Sequence, residues 1–153
     1  MIAKTWQRGS TFQKVLALLI PILLFRFLFS ATVGLIDDEA YHWSWAKELS
    51  SSYFDHPGMV AWLEAISTAL LGDTELGVRL PSFLCYVATL ALAMHLAWDL
   101  FDEWAAYFVA VMMLFSPLWG VGGYVASPEP IFMMFWTAAA WVFWQGVRED
   151  EKR

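Results

Sequence analysis

Three small groups of polar residues stand where an otherwise apolar chain has little reason to keep them. Asp37-Asp38-Glu39 follows directly on a long apolar run, Asp55-His56 precedes Pro57, and Glu129 lies in Ser127-Pro128-Glu129-Pro130 at the head of the last apolar segment. Neighbouring carboxylates in a partly desolvated site need a counter-charge, a cation or a raised pKa, conditions that suit general base catalysis or metal binding. Spacing alone leaves a plainer alternative, in which Asp38 caps the following helix and its neighbours meet water. Asp55 and His56 are a carboxylate and an imidazole suited to a divalent metal, but two ligands do not define a coordination sphere. Glu129 either reaches the same face or caps the last helix. Two further histidines, His42 and His95, are weaker candidates, and His95 is expected to hydrogen-bond within a helix bundle.

The cations add a constraint. Arg26 falls near the middle of the first apolar run, where a guanidinium costs at least about 2.5 kcal/mol if it faces lipid. It must therefore face the bundle interior or a wet cavity, as a structural partner or as a ligand for a lipid phosphate. Arg79, with Pro81, opens the second apolar run.

The elements that must hold these groups are membrane helices. Of 153 residues, 59% are hydrophobic and 18% aromatic, with 10 Trp, and the mean hydropathy is +0.53, too apolar for an ordinary soluble domain. Cys85 is the sole cysteine, which excludes a disulfide framework and a Cys-based metal site. The net charge is −6 and the nine basic residues form no stripe, which argues against nucleic acid as a partner. The run from Val15 to Ile36 is longer than the h-region of a secretory signal, so an uncleaved anchor is expected after a cytoplasmic segment 1–14.

The pattern predicts an all-α polytopic membrane protein, with spans over about 15–36, 80–98, 104–125 and 131–147 and an external loop over 37–79. These spans form one membrane domain, 15–147, followed by a cytoplasmic tail, 148–153. In the loop two short interfacial helices are expected. The first carries Tyr41, Trp45 and Leu49 as a stripe, and the second carries Val60, Leu63, Ile66 and Leu70 on one face with Glu64 and Thr68 on another. Pro117 and the glycines at 120, 122 and 123 predict that the third span kinks or unwinds before Ser127. Lys4, Arg8 and Lys14 at one end and Arg148, Lys152 and Arg153 at the other place both termini in the cytoplasm and the acidic groups outside.

Taken in order, Asp38-Glu39-Ala40-Tyr41-His42-Trp43, Tyr53-Phe54-Asp55-His56-Pro57 and Gly72-Asp73-Thr74-Glu75-Leu76-Gly77-Val78-Arg79-Leu80-Pro81-Ser82 resemble the amino-terminal part of the polytopic GT-C glycosyltransferases. The likeness is to the dolichyl-phosphate-mannose-protein mannosyltransferase-like and aminoarabinose (lipid A) transferase-like branch, and runs from about Val15 to the end of the fourth span. It implies inverting transfer of a sugar from a polyprenyl-phosphate carrier to an acceptor on the non-cytoplasmic face of a bacterial inner membrane. The catalytic base carries over to Asp38, with Glu39 beside it. Asp37, Asp55, His56, Arg79, Glu129 and Arg26 become substrate-binding candidates, and Asp55 with His56 a site for a divalent metal ion, the one cofactor suggested.

Pro57-Gly58 stands where relatives have Pro-Pro, and Glu129 where they have Asp in a Thr-Pro-Asp type motif. The resemblance also implies more spans than four. The expectation is therefore a truncated or split module that needs additional helices or a partner subunit, besides membrane lipids and the lipid-linked donor. Two other classes of function compete: a non-catalytic membrane subunit that binds a lipid carrier or partner protein, and a small transporter component. The interrupted helices in matching positions that mark many transporters do not occur here.

Overall fold

A computed structural model describes residues 10–117, 119 and 125–150, with side chains from residue 17 onward except that of residue 18. The described residues form six helices and no strand beyond the isolated pair Ser52 and Pro57. They are α1 (Ser10–Ser30), α2 (Asp37–Lys47), α3 (Met59–Leu71), α4 (Glu75–Leu100), α5 (Glu103–Phe115) and α6 (Pro128–Asp150). The chain is thus an all-α membrane protein. Helices α4 and α6, of 26 and 23 residues, are long and apolar enough to cross a bilayer, whereas α2 and α3, of 11 and 13, are too short.

The first helix stops at Ser30, six residues short of the expected end. Hydroxyls begin to compete for its carbonyls there, since Ser30 Oγ donates to Phe27 O at 2.7 Å and Thr32 Oγ1 to Phe29 O at 3.0 Å. The last carbonyls of a helix have no intrahelical donor. Here Arg79 supplies one from another helix, donating to Ser30 O, Val33 O and Gly34 O at 2.6 to 3.0 Å. Long-range hydrogen bonding to α4 therefore ends α1.

Two helices start on side-chain caps. Thr74 Oγ1 accepts from Gly77 N at 3.0 Å to open α4, and Asp102 Oδ1 accepts from Ala105 N at 2.8 Å to open α5. As the sequence led us to expect, α5 breaks before Pro117. Ser116 is extended (φ −65, ψ 130), the conformation that a following proline favours. The glycines at 120, 122 and 123 lie outside the described residues.

Helix α4 is the centre, packed against α6, α5, α3 and α1. One apolar cluster joins Leu19 of α1, Leu90 of α4 and Ala110, Met113 and Leu114 of α5. A second joins Trp45 of α2, Val60 and Ala61 of α3, Cys85 of α4 and Ile131 of α6. Arg26 lies inside the first bundle. Its guanidinium donates to Tyr86 Oη at 2.7 Å and to Leu114 O, so it faces inward as its cost in lipid requires.

The two short helices keep apolar residues outward, as interfacial helices do, but Trp45 and Val60 turn inward from the expected stripes. On α2 the buried residues are Glu39, His42 and Trp45, while Tyr41 and Leu49 are exposed. On α3 the buried residues are Val60, Ala61, Glu64, Ser67 and Thr68, and the apolar Trp62, Ile66 and Leu70 point outward. A soluble amphipathic helix shows the reverse. An outward apolar face is stable where the surroundings are acyl chains, which cost nothing to touch. His95 is also exposed, its ring edge-on to Trp98 and Trp141.

Candidate functional site

The three polar groups expected on one face are brought to the same end of the molecule, but in different states. At the start of α2, Asp37 and Asp38 are exposed while Glu39 is wholly buried. Glu39 forms a two-pronged pair with Arg79, with Nε to Oε1 at 2.7 Å and Nη2 to Oε2 at 2.6 Å. It also accepts from Ile36 N at 3.0 Å and from Ala126 N at 2.8 Å. Glu39, rather than Asp38, therefore closes the amino end of α2. Burial pushes the Glu39 carboxyl up, but the Arg79 guanidinium and the Ala126 and Ile36 amides together hold it below its ordinary value.

Both partners are saturated. A carboxylate offers about four lone-pair sites and a guanidinium five N–H groups, and all are engaged within the protein. Arg79 has no N–H for a departing phosphate in this geometry, and Glu39 has no lone pair for a proton. The pair instead ties the end of α1, the start of α2, α4 and the segment before α6 into one joint.

The second group sits on a tight turn between α2 and α3. Tyr53 N donates to His56 O at 3.0 Å, and the Tyr53 ring stacks on Trp45 with centroids 4.6 Å apart and planes 7° apart. Asp55 is exposed and accepts a long hydrogen bond, 3.4 Å, from Tyr41 Oη. The His56 ring lies 5.6 Å from that of His42. Among the described residues no three metal-ligating side chains converge, so Asp55 and His56 gain no third ligand. Two such side chains do not make a site for a resident metal.

The third group meets the second. His56, Pro57 and Val60 face Pro128, Glu129, Ile131, Phe132 and Phe135 across a cleft of ≈ 470 Å³. Glu129 is exposed in the first turn of α6, and the segment before it is fixed by Ser127 N donating to Ser82 Oγ at 3.3 Å. Asp37 and Asp38 do not line the cleft. Tyr41 couples the first group to the second, and the Glu39–Ala126 hydrogen bond couples it to the third.

Sequence reasoning missed Glu64. It is fully buried on α3, neither carboxyl oxygen has a hydrogen-bond partner, and burial with the nearby charge of Glu39 pushes its pKa up to about 8. The available signal was a lone acid in a 13-residue apolar helix.

A family described as dolichyl-phosphate-mannose-protein mannosyltransferase matches residues 55–153, a stretch that starts at Asp55 and includes Glu64, Arg79 and Glu129. The undecaprenyl phosphate-alpha-4-amino-4-deoxy-L-arabinose arabinosyl transferase of Edwardsiella ictaluri (strain 93-146) is 32% identical over 107 residues, 69% of this chain. The chain spans 19% of that relative's length. No solved structure matches. With the family matched over more than half of its residues, the chain belongs to the dolichyl-phosphate-mannose-protein mannosyltransferase family.

Proposed function

We propose that the chain forms part of a glycosyltransferase site on the non-cytoplasmic side of the membrane, where a sugar moves with inversion from a polyprenyl-phosphate donor to an acceptor. The observation that carries this reading is the cleft, lined almost wholly by apolar surface along Val60, Ile131, Phe132 and Phe135, with His56 and Glu129 among its lining residues. Glu129 and Phe135 are six residues apart on one helix, so the polar and apolar ends are separated by about 9 Å at ~1.5 Å per residue. A polar head on a prenyl tail has that same gradient. The sugar hydroxyls of the head meet His56 and Glu129, and the tail leaves past Phe132 and Phe135 into lipid.

Asp38 is the proposed base. It is exposed on the first turn of α2 outside the lining of the cleft, so the acceptor bridges from Asp38 to the sugar held there, and Glu39 and Arg79 fix the backbone behind it. As the acceptor oxygen bonds to the anomeric carbon, its proton passes to Asp38. The bond from that carbon to the phosphate oxygen breaks, and polyprenyl phosphate departs with the electron pair. Asp55, Asp37 and His56 offer hydrogen bonds to sugar or acceptor hydroxyls. Glu39 and Arg79 are positioning residues, which is the physical reason to move both from the reacting groups to the frame.

The test is transfer from a radiolabelled polyprenyl-phosphate sugar in membranes containing the chain, alone and with the remaining length of a relative supplied as a second polypeptide. Transfer that falls by roughly 10²-fold or more in Asp38→Asn, the scale of a general base, supports the reading. Full activity in that variant removes Asp38 from the reaction. A photoreactive polyprenyl phosphate that crosslinks at Phe132 and Phe135 without any transfer would leave a carrier-binding subunit and end the catalytic proposal.

A further inference from the structure

Glu64 is a charged residue type in a place that supports no charge. Its side chain is fully buried, both carboxyl oxygens lack a partner, and Ser67 Oγ, one turn on along the same buried face, also lacks one. Groups on the elements packed against α3 are these. From α2 come Glu39 and His42, both buried, with His42 Nδ1 also lacking a partner; from α4 come Arg79 and the buried Cys85 thiol, packed with Val60 and Ala61; on α6 Glu129 stands exposed at the cleft. Arg79 is the one cation among them, and its five N–H groups are occupied by Glu39 and the carbonyls of Ser30, Val33 and Gly34. An anion at Glu64 would thus be desolvated, unpaired and beside the negative charge of Glu39. The protonated acid stays buried without a partner but carries no charge, so it avoids the far larger ionic share of these costs.

We infer that Glu64 is a proton-dependent positioning residue: carried as the neutral acid, it lets α3 pack against the Glu39–Arg79 joint, and its ionisation loosens the start of α2. The link runs through Glu39. That carboxylate closes the amino end of α2 by accepting from Ile36 N, and a second negative charge on the buried face of α3, which packs against α2, repels it. When the pair shifts, the first turn of α2, which carries Asp37 and Asp38, loses its anchor. The inference about the joint stands without the sugar-transfer reading; only its consequence for the base rests on it.

Two measurements on the chain in lipid nanodiscs test this. Infrared spectroscopy reads the C=O stretch of a buried protonated carboxyl, and hydrogen exchange reads opening of residues 36–42, corrected for the intrinsic pH dependence of exchange. The expected result is a protonated band at pH 6.5, absent in Glu64→Gln, that titrates away with a midpoint near pH 8. Exchange at 36–42 rises at least severalfold across the same midpoint in the wild type. It stays flat in Glu64→Gln, which keeps the shape and cannot ionise. An absent band at pH 6.5, or a rise in exchange that persists in Glu64→Gln, overturns the inference. Should that variant not fold, the wild type decides alone: coincident midpoints support the inference, and midpoints more than a pH unit apart overturn it. A purely structural carboxyl would change stability without this shared pH midpoint, and transfer activity enters neither readout.

Discussion

At the scale of single residues, the chemistry divides by what each carboxylate finds around it. Glu39 is paired, saturated and held low; Glu64 is unpaired and held high; Asp37 and Asp38 stay in water. Removing one partner of a buried ion pair leaves the other uncompensated, so Arg79→Ala is expected to cost about 3–5 kcal/mol, read as a lower unfolding temperature in detergent. The two acids also give opposite pH dependences. Glu39 has a depressed folded pKa, so its contribution is present above the unfolded value of 4.5 and is lost as pH falls through the folded one. Glu64 has a raised folded pKa, so stability declines from about 4.5 up to about 8. Glu64→Gln is accordingly expected to raise thermal stability at pH 8 and leave it nearly unchanged at pH 4.5, in a thermal scan at the two pH values. The sequence made Asp37-Asp38-Glu39 conspicuous as a group. It held no indication that the third member alone would turn inward, because that depends on where Arg79 arrives from a helix 40 residues away.

At the scale of elements, the α2–α3 turn decides whether the second and third groups can meet. Gly58 is buried there, and a Cβ at that position would lie 2.6 Å from Ser50 O and 3.0 Å from Ser51 O, both backbone atoms. Gly58→Ala must displace the turn, at about 1–3 kcal/mol. The expected outcomes are a lower unfolding temperature and weaker crosslinking of a prenyl probe in the cleft. This close approach is the reason a side chain does not fit at Gly58. The same scale explains how the expected stripes divide. Periodicity located α2 and α3 correctly as short helices, but it cannot say which face looks inward when lipid is the surrounding solvent. On α3 the polar residues Glu64, Ser67 and Thr68 went in and Ile66 and Leu70 went out.

For the whole molecule, the cleft between α3 and α6 is the product of packing around α4. Phe132→Ala together with Phe135→Ala should reduce crosslinking of a photoreactive polyprenyl phosphate severalfold while leaving helix content by circular dichroism unchanged. Unaltered crosslinking would place the tail elsewhere. The proposed orientation has its own check. A cysteine at position 37 is expected to react with an impermeant thiol reagent added outside, and one at position 149 only after the membrane is opened, since Cys85 is buried and silent. Equal labelling of both from outside would overturn it.

Composition and the lengths of the apolar runs by themselves determined the class of this protein, the long helices α4 and α6 and the short helices α2 and α3 that precede them. Those features depend on transfer of local segments into hydrocarbon, an energy that each segment carries alone. Order and spacing also placed Asp55-His56 and Ser127-Pro128-Glu129 in groups that the fold brings to one end. Only the tertiary structure decided which acids stay free, where α1 stops and which face of α3 is inside. Each of these depends on a partner far along the chain: the guanidinium of Arg79 on Glu39 and on the carbonyls of α1, and the helices that close over Glu64. Burial and pairing are properties of two surfaces in contact, and a linear pattern specifies one surface at a time.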